Sequence, residues 1–386
     1  MTFKNLLFII LILLGVMLVA CAADVAPTST PIPTMTPIVL PTVAFTPTAS
    51  PITPTSEPLR VEMVEENTGL VVAMEFEGNG RLFYATKQGG IFIKSGHEPA
   101  QQLLNIKVAQ GSENGMLGLT LAPDFVTTHH FYIYYNVPNA DGKPILSRVV
   151  RYTEWDGEAT DETIIIDNLP ATPDQQYHFG GGLSFGPNGK LYFIFGDRNM
   201  LEAAADSAQL PGSILRYNAD GTIPTDNPFP NSPVYAYGIR NGFGLAWHPV
   251  TGQLYETENG VDCDDELNLI LPGANYGWGV YQYDACPYPD SAGQPPVHQW
   301  TPVVAPVGLL FYTGDLMPEF VGELLVCGFN QSQIFRVALD DNGRFARTVT
   351  PLEIPNQPEL CRVAIIQGPD GWIYTSTINS IQRIGR

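Results

Sequence analysis

Six stretches of this chain repeat one unit: an apolar strand, a turn rich in Gly, Asn, Asp or Pro, then a second apolar or aromatic strand. They read VVAMEFEGNGRLFYAT, LGLTLAPDFVTTHHFYIYYNV, GLSFGPNGKLYFIFGD, GLAWHPVTGQLYETENG, GLLFYTGDLMPEFVGELLVCGF and AIIQGPDGWIYTST. The strand after each turn puts Tyr84, Tyr132, Tyr192, Tyr255, Leu325 and Tyr374 in matching places. Successive markers lie roughly 50–70 residues apart, the length of a four-stranded propeller blade with variable loops. Helical periodicity is hard to find between them, and a β-sandwich would not repeat the unit six times. The pattern predicts an all-β fold, a six-bladed β-propeller, over residues 59–386.

Two segments precede that domain. Lys4 followed by LLFIILILLGVMLVA has the charged and apolar regions of an export signal, residues 1–20. The run is short for a membrane span and stands at the extreme N-terminus. It ends in Leu18-Val19-Ala20-Cys21, which resembles the lipobox of bacterial lipoproteins and makes Cys21 the expected lipidation site. An ordinary secretory signal with an incidental cysteine is the alternative. In residues 21–58 Pro and Thr nearly alternate, with few charges and no helical or strand period, as in an extended spacer. The expectation is an exported domain, held by a lipid anchor on the outer face of the bacterial cytoplasmic membrane or at the cell surface.

The net charge is −20 and no basic run occurs, which argues against a nucleic-acid partner. Besides Cys21 the chain has Cys263, Cys286, Cys327 and Cys361. An even number in an oxidising compartment suggests two disulfides, with three possible connectivities. There is no Cys-x-x-Cys spacing for zinc, no nucleophile elbow and no phosphate-binding glycine loop.

The stretch HFGGG, residues 178–182, raises a specific question. Glycine permits positive φ or close approach of a ligand to the backbone. His178 would then stand at the start of a strand, over a surface without side chains, where a base could reach a flat substrate or cofactor. The plainer reading is a loop histidine beside a glycine-rich turn. Propellers bind ligands where inner-strand ends and connecting loops converge. That draws attention to Glu113-Asn114, His178, Arg240-Asn241 and the loop 259–262. His97, His129, His130, His248 and His298 read as surface or packing residues.

In order along the chain, QGSENGMLGLTLAPDF, HFGGGLSFGPNGKLYFIFGD, SILRYNADGTIPTDNPF, YAYGIRNGFGLAWHPVTGQLYETENG, DDELNLILPGANYGWG and GPDGWIY resemble the soluble glucose/sorbosone dehydrogenases. The resemblance runs from about residue 65 to the C-terminus. It implies pyrroloquinoline quinone (PQQ) and Ca²⁺ at one end of the propeller, with a histidine taking the proton of the sugar C1 hydroxyl while hydride passes to the quinone. It places His178 as that base and Arg240 as the residue polarising the quinone oxygen, with Glu113 and Asn241 at the cofactor. It implies calcium on the backbone carbonyls of Gly260 and Val261, with Asp265, Glu266 and Tyr276 as calcium-linked side chains. A solvated acidic loop is the alternative for the run Asp262, Asp264, Asp265 and Glu266. The chemistry is coherent: a neutral imidazole suits a general base, and cationic groups stabilise charge developing on an oxygen.

The same alignment marks a departure. PQQ carries three carboxylates, and its binding calls for cations. Asn330 stands where the family has a cofactor-binding lysine, and Cys361 and Val363 stand at two arginines. Arg198 or Arg362 is an alternative source of cations. The aligned positions favour Cys327–Cys361 and Cys263–Cys286 as the disulfides. Two functions follow: an exported quinoprotein that oxidises an aldose-type sugar and passes electrons to an unnamed acceptor, or a propeller that binds a glycan or protein without redox chemistry.

Overall fold

The computed structural model describes residues 57–280 and 293–386. The signal, most of the spacer, Cys21 and Cys286 lie outside the described residues. Six four-stranded antiparallel sheets follow one another around a ring. Their inner strands are Val71–Phe76, Met116–Leu121, Leu183–Phe185, Gly242–Trp247, Pro306–Phe311 and Ile365–Gln367, and each neighbours the next until the last meets the first. The ring closes through the sixth blade. Its outer strand, Arg60–Glu66, comes from the start of the domain and pairs with Ser380–Gly385 from its end.

The second strand of each blade explains the repeat. Leu191–Phe195 is buried along its whole length. Phe193 and Phe195 pack against the second blade, whereas Tyr192 and Ile194 pack against the fourth. Because alternate side chains leave opposite faces of a strand, a strand between two blades must be apolar on both. Tyr132, Tyr255, Leu325 and Tyr374 take the place of Tyr192 in their own blades, each packing forward onto the next. The first blade departs from the expected alignment. Phe83 packs forward, and Tyr84 packs backward onto the sixth blade. A shift of one residue exchanges the faces of a strand.

Tight inner-ring contacts account for several glycines of the repeat. A Cβ on Gly244 would lie 2.1 Å from the Val307 carbonyl oxygen, and one on Gly308 2.2 Å from that of Val363. Helix is confined, among the described residues, to single turns such as Phe125–Thr128 and Leu201–Ala204. Loops entering the inner strands and loops joining second to third strands emerge at one face, and this face carries the candidate residues.

Candidate active site

His178 lies in the loop entering the third inner strand, with left-handed backbone at φ 62°. The glycines after it are required by the protein's own packing. Gly180 has φ 69°. A Cβ there would sit 2.5 Å from the Ile194 carbonyl oxygen, and one on Gly182 2.9 Å from that of Phe243. The bare surface expected around His178 is therefore filled by neighbouring strands, and the loop is pressed down so that His178 is held from below.

The hold on His178 is extensive. Its Nδ1 lies 2.7 Å from Oδ1 of Asp197, a fully buried carboxylate. The other oxygen, Oδ2, accepts the Trp278 indole N–H at 2.7 Å. The Asn199 amide also donates to Oδ1, at 2.8 Å. A carboxylate can only accept at Nδ1, so a proton sits there and Nε2 is the ring nitrogen left to face a substrate. The His178 backbone N–H donates to Glu113 at 2.7 Å. Asn241 ties the loops together: its Nδ2 donates to Glu113 at 3.1 Å and its Oδ1 accepts the Gly180 N–H at 3.1 Å.

Arg240 joins the same rim. The Asp197 amide donates to its carbonyl at 2.8 Å, and its own amide donates to Glu258. Its guanidinium donates to the Asn259 carbonyl at 2.9 Å and lies 5.4 Å from the centroid of Trp278. Its Nε is buried without an acceptor. Arg240, Glu258, Gly260, Asp264, Glu266, Tyr276 and Trp278 line a cavity of about 40 Å³, room for a very small group.

The residues expected at calcium divide by this geometry. Asp265 accepts backbone N–H bonds from Gly260, Val304 and Ala305 at 2.9, 2.6 and 2.7 Å. The Tyr276 hydroxyl donates to the Leu269 carbonyl and accepts from the Leu271 amide. Both side chains fix loops. Gly260 and Glu266 line the small cavity, and Val261 is half-buried on the same loop. Beneath them a single amide, Asn268 Nδ2, donates to Glu256, Glu258 and Glu266. Burial, with mutual repulsion, pushes Glu256 up to about 8 and Glu266 up to about 7, and raises Glu258 as well. No group of three or more His, Cys, Asp or Glu among the described residues is arranged around a metal position.

From Arg240 the rim runs through Asn259, whose side chain donates to the Pro306 carbonyl, and on to the Phe329 amide, which donates to that of Ala305. It then reaches Arg362, which donates to the Phe329 carbonyl at 2.7 Å and pairs with Glu359 at 2.9 Å. Asn330 is exposed on this wall, with its amide toward the Val303 carbonyl. Cys327 and Cys361, both fully buried, form a disulfide with Cα atoms 5.4 Å apart. Arg198 does not face the rim. It is buried between the Phe179 and Phe195 rings, donates to Ser147 at 2.7 Å, and its pKa is lowered to about 10 by desolvation.

The sequence pointed to His178, Arg240, Glu113 and Asn241 but not to Asp197, and it offered Trp278 only as blade packing or a residue of the rim, not as a donor to Asp197. Asp197 follows a fully buried strand in GDRN, a position from which an acid must find a partner. Trp278 arrives because the segment after Asp265–Ile270 turns back and pairs Asn275 with Tyr237.

Comparison with known proteins agrees with this architecture. The family model for Glucose / Sorbosone dehydrogenase matches residues 70–386. The chain belongs to this family. Escherichia coli aldose sugar dehydrogenase YliI is 28% identical over 292 residues, 69% of this chain and 75% of that protein. Human Hedgehog-interacting protein is 28% identical over 369 residues, 75% of this chain and 52% of that protein. The PQQ-bound aldose sugar dehydrogenase of Streptomyces coelicolor superposes with a TM-score of 0.69 at 25% identity, over 86% of this chain and 99% of that one.

Proposed function

We propose that this member of the family is an exported, lipid-anchored dehydrogenase that oxidises an aldose-type sugar. His178 takes the proton of the C1 hydroxyl while hydride leaves C1 for a quinone-class acceptor seated against Arg240. The observation that carries this reading is the His178–Asp197–Trp278 arrangement. A buried carboxylate fixes one imidazole nitrogen, which leaves the other as a base beside a cation with an unused donor. Export and anchoring rest on the signal-like residues 1–20 and Cys21. Acyl labelling of the wild type, lost in Cys21→Ser, tests them.

The resident cofactor implied by the family meets a mixed fit. Arg240 suits the redox edge of PQQ. Gly260, Val261 and Glu266 offer oxygens to calcium, which would polarise an acceptor oxygen when bound. The wall that should hold the carboxylates presents Asn330, Val363 and a buried disulfide instead. PQQ as a tricarboxylate does not fit that wall.

Dye-linked oxidation of aldoses by the purified protein tests the function. His178→Ala should lower turnover by about 10²–10⁴-fold with the fold intact. Unchanged turnover removes His178 as the base. A second reading, a propeller that binds a glycan or protein without redox chemistry, is favoured by the lost cations and by the likeness to Hedgehog-interacting protein. It predicts that sugar binds but reduces no acceptor, and that His178→Ala leaves any protein interaction unchanged.

A further inference from the structure

The charges around the rim say what kind of acceptor the site can take. Carboxylates come from Glu113, Asp197 and Asp264, whereas Arg240 and Lys87 supply the nearby positive charge. Lys87 is already engaged, its ammonium donating to the carbonyls of Gly111 and Ser112 at 2.8 and 2.6 Å. Arg362 is engaged by Glu359, by the Phe329 carbonyl and by the Phe329 ring, 5.3 Å from its guanidinium carbon. Arg198 is buried beneath the rim. The wall reached from Arg240 through Asn259 and Phe329 therefore carries, among the described residues, no cation beyond the paired Arg362. It offers the Asn330 amide and Val363, and Cys361 there is covalently tied to Cys327. Val363 also lines a cavity of about 120 Å³ together with Gly182, at the end of the His178 loop, and Phe243, two residues after Asn241.

A triple anion placed here would meet carboxylates on one side and, among the described residues, no cation on the other that is not already engaged. Unpaired carboxylates lose their hydration without compensation. A neutral ring loses little hydration and can lie against an apolar wall.

We propose that the rim seats a neutral, carboxylate-free quinone as a diffusible two-electron acceptor, in place of a resident tricarboxylate. This rests on the sugar dehydrogenase reading. The step balances: the C1–H bond breaks and its electron pair passes to the quinone as hydride, and the hydroxyl proton goes to His178. The sugar gains a C=O bond. The quinone, taking up one further proton, becomes a hydroquinone and leaves. Arg240 stabilises the quinone oxygen while it is anionic.

The test measures binding and reduction separately. Purified protein, dialysed against chelator, is titrated by calorimetry with 2,3-dimethoxy-5-methyl-1,4-benzoquinone, and in parallel with PQQ plus Ca²⁺. The neutral quinone should bind at least ~10-fold more tightly than PQQ. Asn330→Lys with Val363→Arg, which leaves the disulfide intact, should tighten PQQ at least ~10-fold and weaken the neutral quinone that lies against this wall, so that the order of the two affinities reverses. Adding Cys327→Ser with Cys361→Arg should tighten PQQ further, and the intact-disulfide variant still decides the matter if that one does not fold. Tighter PQQ than benzoquinone in the native protein, or no benzoquinone binding at all, overturns the proposal. Adding an aldose to the benzoquinone complex then follows quinone absorbance. Binding without reduction refutes the dehydrogenase reading, and with it the acceptor role, while still reporting the wall's selectivity for neutral rings.

Discussion

One carboxylate outside the active site offers a quantitative check on the fold. Glu75 lies on the first inner strand and faces a cavity of about 690 Å³ along the propeller axis, among Leu121, Phe185, Trp247 and Phe311. Its Oε2 accepts the Leu121 N–H of the next blade at 2.9 Å. Burial pushes its pKa up to about 7 from an ordinary 4.5. The folded state thus holds the Glu75 proton more tightly than the unfolded chain does. The resulting stabilisation is fully present below about pH 4.5 and is lost as the pH rises through about 7. At about 1.4 kcal/mol per pH unit the full shift corresponds to about 3 kcal/mol, and water in the cavity reduces this to about 1–3 kcal/mol. Glu75→Gln keeps an acceptor for Leu121 and cannot ionise. Urea unfolding of both proteins at pH 5 and pH 8 should show the wild type losing about 1–3 kcal/mol more than the variant between the two pH values. Other buried acids, Glu256, Glu258 and Glu266 among them, contribute equally to both proteins and cancel. Parallel pH profiles would refute the assignment of a protonated acid in the channel.

Asp197→Asn should lower kcat for sugar oxidation by about 10–100-fold with little change in KM, because it weakens the charge-assisted hold on Nδ1 while keeping the shape. A rise in KM at unchanged kcat would assign Asp197 to binding instead. An unreduced digest should yield the Cys327–Cys361 peptide pair, and Cys327→Ser with Cys361→Ser should cost about 2–4 kcal/mol in urea; free thiols in the purified protein would contradict the structure. Phe83→Ala should cost about 3–5 kcal/mol, since its ring packs forward between the first and second blades; a cost near zero would undo the corrected register.

The propeller was legible in the sequence because its unit is set by the turn and by a strand buried on both sides. The one slip, in the first blade, has a local cause. Glu77 N–H to the Arg81 carbonyl and Gly186 N–H to the Lys190 carbonyl are equivalent turn bonds, which align Leu82 with Leu191 and Phe83 with Tyr192. Two adjacent aromatics, Phe83 and Tyr84, made the wrong one look like the match. In the site, His178, Glu113, Arg240 and Asn241 could be found because their loops directly precede inner strands or carry unusual glycines. Asp197 could not, since an acid beside an arginine in a loop looks like a surface pair. The structure separates the two: Asp197 turns to His178, and Arg198 turns into the core. The acidic run 262–266 left two readings open, because nothing in its composition distinguishes an oxygen offered to a cation from one that receives backbone N–H groups, as Asp265 does.

The division of labour between strands and loops explains how the chain can belong to a family of sugar dehydrogenases and yet present a different wall. Blade packing depends on side chains such as Tyr132, Tyr192, Tyr255, Leu325 and Ile373, all on second strands and all buried. None of these contacts requires a charge at 330, 361 or 363. A cation in a loop can therefore be exchanged for an amide, or a pair of rim residues for a disulfide, without moving a blade. Cys327 and Cys361 show how far this goes: they join the fifth and sixth blades within the same apolar cluster as Leu325 and Ile373. A pair of residues near the rim is thereby part of the core. The blades report descent, and the loops report what is bound. That is why the neutral acceptor proposed for this rim rests on Asn330, Val363 and the engaged arginines rather than on the propeller that carries them.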